Sequence, residues 1–214
     1  MRVHQLAIHG HGMLPGLLAL HMLAGSPQTD LVLLTSDLAI GGNQLEPVIA
    51  GRLSAASRVL IEPFVVARWD SYLTTRGGQS ELHEAEVLLL DPLQVWLELQ
   101  GQLDPARLIA GCSALTREEQ LCSWPGGSVQ TRQLIDLEPL LGPRCESEIV
   151  GLEALRWLSQ PVLADFDAAD EQWSAHQYLP LGDERAVIRK LPRQTDLLGA
   201  HRTFETLLNG LTAT

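Results

Sequence analysis

Apolar positions at the start of the chain fall into two periodicities. Val3 to Ile8 and Leu31 to Leu34 are short apolar runs of strand type. Between them Met13 to Ala24 is rich in leucine and reads as a buried helix, broken only by His21. Gly10, Gly12 and Gly16 stand where the first run meets that helix. Strand, glycine turn, helix and strand predict one βαβ unit over residues 3–43, with a right-handed crossover.

The glycines suit a dinucleotide turn. Gly10 lets the chain leave the strand sharply. Gly12 lets a backbone N–H approach a diphosphate at the positive end of the helix. Gly16 is expected to let the helix pack close to the strand. The strict spacing G-x-G-x-x-G puts its third glycine at Pro15, one residue early, and Pro15 fits only the first helical turn. The acid that holds ribose at the end of the second strand is replaced by Thr35 and Ser36, and Asp37 comes later. A βαβ unit kept for structure alone is the competing reading.

Further along, Leu53–Leu60 reads as a short helix or turn, and Phe64–Tyr72 as a strand. Arg76-Gly77-Gly78 marks a turn and Ser80–Leu90 a strand or edge segment. Asp91-Pro92 opens a helix whose Leu93, Trp96, Leu97 and Gln100 recur at helical spacing, ended by Gly101. Arg107–Cys112 reads as a strand. Leu115–Trp124 and Ser128–Ile135 form a hairpin around Pro125-Gly126-Gly127. Past Cys145, residues 161–166, 174–181 and 185–189 read as strands, and Gln194–Leu211 as one or two helices. A βαβ unit followed by strands and a hairpin predicts an α/β fold: a truncated Rossmann-like domain over 1–140 with inserted strands, and a β-rich subdomain plus C-terminal helix over 141–214.

Composition narrows the partners. With 45% hydrophobic and 19% charged residues the 214-residue chain is of globular type, and its formal net charge is -11. Such a field repels nucleic acid, so none is expected as a partner. It also disfavours an anionic membrane surface, while leaving room for a peripheral apolar contact; no stretch has transmembrane length. Cys112, Cys122 and Cys145 form no C-x-x-C pair and no leader precedes the first strand, which predicts a cytoplasmic protein. His9 and His11 flank the glycine turn and read as polar turn residues in preference to metal ligands, so no metal is expected.

The residues carry a further resemblance. Gly10-His11-Gly12-Met13-Leu14-Pro15-Gly16-Leu17 resembles the GGGLAxGL turn of the bacterial lycopene β-cyclase family, FAD-dependent proteins of glutathione-reductase-like fold. Gly41-Gly42-Asn43 resembles its GGNHTW segment, and Phe64 to Tyr72 its PLVVxxWPxY segment. Ile135-Asp136 falls at its IDGRG turn. Ile149 to Glu153 resembles FVGQE, Pro161 to Asp165 resembles PIxMD, and Tyr178 to Leu181 resembles YxLPL. The matches keep the family order over residues 3–190. The chain departs from it at His11 and Thr35, at Leu137-Glu138, and at Gly78-Gln79-Ser80 in place of a basic run. It also ends where the family's chains continue toward the rest of the flavin pocket.

The resemblance implies an FAD/NAD(P)-binding fold with a cofactor site at Gly10, Gly12, Gly16, Thr35, Gly41 and Gly42. It implies Glu153 as the acid/base of a carbocation cyclisation on an apolar polyene or isoprenoid, with Asp165 as a second polar site residue. A carboxylic acid beside an apolar tunnel suits proton delivery, because burial keeps it protonated. Read by itself, Glu153 is a surface helix charge beside Arg156. The departures set the expectation that FAD is held poorly, and keep open a degenerate, non-flavin relative. That relative would serve as a ligand-binding or protein-interaction accessory subunit in a biosynthetic system, or pair with itself as a homodimer.

Overall fold

The opening residues form the expected unit. In the structure, a computed structural model, β1 (Val3–Gly10) leads into α1 (Leu14–Gly25) and then β2 (Leu31–Thr35). The structure describes residues 2–42, 44–141, 146–151, 160–166, 173–181, 185–192 and 197–213. β1 and β2 pair in parallel, Leu6 opposite Leu31 through Gly10 opposite Thr35. All five residues of β2 and the last five of β1 are buried, as in a parallel strand covered on both faces. α1 buries leucines on all sides because it touches α3 (Pro92–Gln102) and α4 (Leu197–Leu211) as well as the sheet.

The chain continues through β3 (Glu46–Ile49), α2 (Ala55–Ile61), β4 (Val65–Trp69), β5 (Tyr72–Arg76), β6 (Gln79–His83) and β7 (Val87–Leu90) before α3. After it come β8 (Leu108–Ile109), β9 (Thr116–Glu118), β10 (Leu121–Trp124) and β11 (Gly127–Asp136). β12 (Glu146–Gly151), β13 (Val162–Asp165), β14 (Trp173–Leu181) and β15 (Arg185–Pro192) precede α4. The first sheet runs β8-β2-β1-β11-β10-β9, and its first four strands are parallel. β1 thus lies at the point where strand order reverses, the usual ligand crevice of such a sheet. The second sheet runs β12-β15-β14-β13-β5-β6, and a third, β3-β7-β4, is antiparallel.

Several expectations change. Phe64–Tyr72 is not one strand: β4 and β5 flank a break at Asp70 and enter different sheets. Ser80–Leu90 likewise divides into β6 and β7. The expected strand at Arg107–Cys112 shrinks to β8, which follows a short 3-10 turn. α3 does start at the Asp91 cap, whose carboxylate accepts from the Leu93 N–H at 2.9 Å, but it runs past Gly101. Its buried face is Val95 and Leu99, while Leu93 and Leu97 are exposed.

Gly16 serves a different neighbour from the one expected. A Cβ there would lie 2.8 Å from Val95 Cγ1 and 3.2 Å from Leu99 Cδ1, so it permits close packing of α1 on α3 rather than on β1. The C-terminal helix is pinned by polar contacts, one of them buried. Glu205 accepts from the Ile49 N–H at 2.9 Å and from Arg52 at 3.4 Å. The Asn209 side chain bonds the Arg52 carbonyl at 2.8 Å and the Ser54 N–H at 2.8 Å. Among the described residues no helix is long and apolar enough to cross a membrane.

Candidate functional site

The C-terminal ends of β1, β2 and β11 converge around the glycine turn. Gly10 is hemmed in: a Cβ would lie 2.9 Å from Pro15 Cγ and 3.2 Å from Leu137 Cβ. Gly12 has φ +67°, a left-handed conformation that favours glycine, and open space where a Cβ would be. Its N–H donates to the Asp37 carboxylate at 2.6 Å. The amide expected to meet a diphosphate therefore meets a side chain of the same protein.

Thr35 explains how Asp37 gets there. Buried at the end of β2, its hydroxyl accepts from the Asp37 N–H at 3.2 Å and turns the chain. Gly41 (φ +83°) and Gly42 (φ +78°) then bring the loop back. A Cβ on Gly42 would lie 3.1 Å from Gly12 Cα and 3.3 Å from Asp37 Oδ2, and one on Gly41 would lie 3.0 Å from the Pro92 carbonyl oxygen. Of the six residues expected to bind the cofactor, Gly10, Gly12, Thr35, Gly41 and Gly42 gather around this turn. Gly16 sits on the α3 side of α1.

Two further acids adjoin it. The Asp136 carboxylate contacts His9 Nδ1 at 2.8 Å and accepts from the Glu138 N–H at 3.1 Å. His9 Nε2 faces the Cys112 carbonyl at 3.2 Å, so both ring nitrogens meet oxygen acceptors. The Ser36 hydroxyl lies 2.9 and 3.0 Å from the two Glu138 oxygens, and His11 Nδ1 lies 3.2 Å from Glu138. Asp37, Asp136 and Glu138 thus bring three carboxylates to the strand ends around the turn, Asp136 against His9 and Glu138 against His11. Asp37 and Glu138 were not foreseen as site residues. The signal for Asp37 was its place two residues beyond the strand end, within reach of a turn made by Thr35.

Of the candidate catalytic pair, Asp165 alone falls within the described residues. Glu153 lies outside the described residues. Asp165 ends β13 in the second sheet, paired with His176 on β14 and Thr75 on β5. Tyr178 Oη is 3.5 Å from His176 Nδ1, and burial, then the Asp165 charge, pushes its phenol above the ordinary range. Phe166 stacks beneath the Arg76 guanidinium at 5.0 Å. Cys112 and Cys122 are buried, and burial pushes the Cys112 thiol up to about 11, which leaves it inert as a nucleophile. Cys145 is outside the described residues. No group of three or more His, Cys, Asp or Glu among the described residues is placed to hold a metal.

A cleft of about 450 Å³ opens beside the glycine turn, between the loop after β2 and the start of α3.

No family model matches the chain, and no curated relative matches its sequence. Solved structures do match its fold. The peptidyl tryptophan dihydroxylase QhpG, essential for tryptophylquinone cofactor biogenesis, superposes with TM-score 0.53 at 13% identity, over 100% of this chain and 53% of that one. The p-nitrophenol 4-monooxygenase PnpA of Pseudomonas putida gives 0.52 at 13% identity, over 98% and 63%. An HpxO variant of Klebsiella pneumoniae complexed with FAD gives 0.50 at 13% identity, over 88% and 57%. The chain spans between about half and two thirds of the length of these structures. The fold is therefore mixed α/β and glutathione-reductase-like: a partial Rossmann-like FAD domain joined to a β-subdomain.

Proposed function

We propose that this chain is a non-redox relative of the flavoprotein fold, a ligand-holding accessory protein rather than an FAD-dependent oxidoreductase. The supporting observation is the 2.6 Å hydrogen bond from the Gly12 N–H to Asp37. An incoming diphosphate would have to break that bond and would then face the Asp37 and Glu138 charges. The purified protein should be colourless, and micromolar FAD should show no saturable quenching of flavin fluorescence when the protein is added. A yellow preparation, or one-to-one FAD binding, would overturn this reading.

A second reading has its own support in the second sheet. There a carboxylate (Asp165), an imidazole (His176) and a buried phenol (Tyr178) share one strand pair beside an aromatic ring, which is the equipment for proton transfer at an apolar substrate. On this reading the chain is lycopene-cyclase-like, with Glu153 and Asp165 moving the proton that starts and ends cyclisation of a polyene. Asp165→Asn and Glu153→Gln should then each slow conversion of an acyclic polyene by about 100-fold or more, followed by its absorbance. Unchanged rates in both variants, or no conversion by the parent protein with FAD and reductant supplied, would remove it.

A further inference from the structure

The cleft beside the glycine turn has chemistry of its own. Its 450 Å³ fall within the roughly 300–1,000 Å³ typical of small-molecule sites. Leu38, Ile40, Gly42, Asp91, Leu93 and Trp96 contribute to its lining. Leu38 is 95% exposed on one rim and Leu93 is 55% exposed on the other. A single exposed leucine needs no explanation, but two across a concavity that also holds an indole make an apolar binding wall.

The charge around the cleft is one-sided. Among the described residues no lysine or arginine lines it, while Asp91 stands at the α3 end. At the inner end Gly42 separates the cleft from Asp37, whose Oδ2 lies 3.3 Å from where a Gly42 Cβ would be. That carboxylate stays on the turn because the Gly12 N–H and the Thr35 hydroxyl hold its residue there. An anionic ligand would enter against both acids, with no lysine or arginine among the described lining residues to meet it. A neutral ring would meet leucine and tryptophan.

We propose that this cleft binds an uncharged, apolar, ring-bearing small molecule, and that Asp37 determines its specificity by turning away ligands that carry phosphate or sulfonate. The proposal rests on the reading that the scaffold holds no FAD.

Two fluorescent probes with one ring skeleton test it. N-phenyl-1-naphthylamine is neutral, and 1-anilinonaphthalene-8-sulfonate adds a sulfonate. Titrated into the full chain, the neutral probe should saturate at one per chain and bind at least about tenfold more tightly than the sulfonate. Leu93→Asp, a surface change checked for folding by circular dichroism, should weaken the neutral probe by about tenfold or more. Asp37→Asn should bring the sulfonate's affinity toward that of the neutral probe. Equal affinity for the two probes, or neutral-probe binding untouched by Leu93→Asp, overturns the proposal. So does a dimer in sedimentation that Leu93→Asp dissociates, which would make the cleft an interface between copies. If the protein binds neither FAD nor the neutral probe, this inference fails alone. If it binds FAD, the underlying reading fails first.

Discussion

Gly16→Val should destabilise the protein by about 3 kcal/mol, measured by urea unfolding. The expected cause is overpacking between two helices. The first added carbon would already lie 2.8 Å from Val95 Cγ1, and Val95 is fully buried on the inner face of α3. Val95 is β-branched and stiff at χ1, so it cannot swing aside cheaply. Leaving glycine gains a few tenths of a kcal/mol in helix propensity, too little to offset the clash. Adding Val95→Ala should restore part of the loss, because the two positions share one volume and their effects will not add. Full additivity, or a neutral Gly16→Val, would show that α1 and α3 are not in close contact.

Glu205 should give the chain an inverted acid response. Burial pushes its carboxyl above the ordinary glutamate range, against the lowering pull of the Ile49 N–H and Arg52. The folded state then binds this proton more readily than the unfolded state. Its contribution is favourable at low pH and is lost as pH climbs from the ordinary value of about 4.3 through the raised one. Glu205→Gln keeps an acceptor for the Ile49 N–H and removes the titration, so its stability should lack that decline. Glu205→Leu leaves a buried N–H unpaired and should cost about 1–3 kcal/mol, with the larger loss at low pH where the parent's Glu205 contributes most. Parallel pH profiles for the parent and the Gln variant would rule the effect out.

The opening unit was legible because each of its signals was local. Val3–Ile8, the glycines and Leu31–Leu34 set strand, turn and strand within one short stretch, and no distant residue was needed to interpret them. The Asp91-Pro92 start of α3 was legible for the same reason. Its buried face was not, since Leu93 and Leu97 recur with the same spacing as Val95 and Leu99, and only the position of α1 decides between the two stripes. Sheet membership was equally hidden. β4 and β5 are separated by Asp70 and Ser71 alone, yet their partners are β7 and β13.

Five of the six expected turn residues meet in space, while the acceptor of the Gly12 amide comes from the loop after β2, where the place of Asp37 two residues past the strand end was the one local signal. Glu205 left no sequence signal at all. A glutamate within a leucine-rich tail reads as solvent-facing until β3 is laid against it.

The second sheet has a consequence for how the chain is made. Its edge hairpin, β5–β6, comes from residues 72–83, but the strand that covers it, β13, is not translated until residues 162–165. On the ribosome the hairpin waits through roughly the next eighty residues of synthesis with one side unpaired, an open template for other nascent copies. Gly77 and Gly78 close it tightly, and Gln79, Ser80 and Glu81 leave its outer strand polar. β6 stays the outer strand of the finished sheet and its polarity suits that permanent edge, whereas the edge that waits for β13 is β5, where Thr74, Thr75 and Arg76 supply the polar groups.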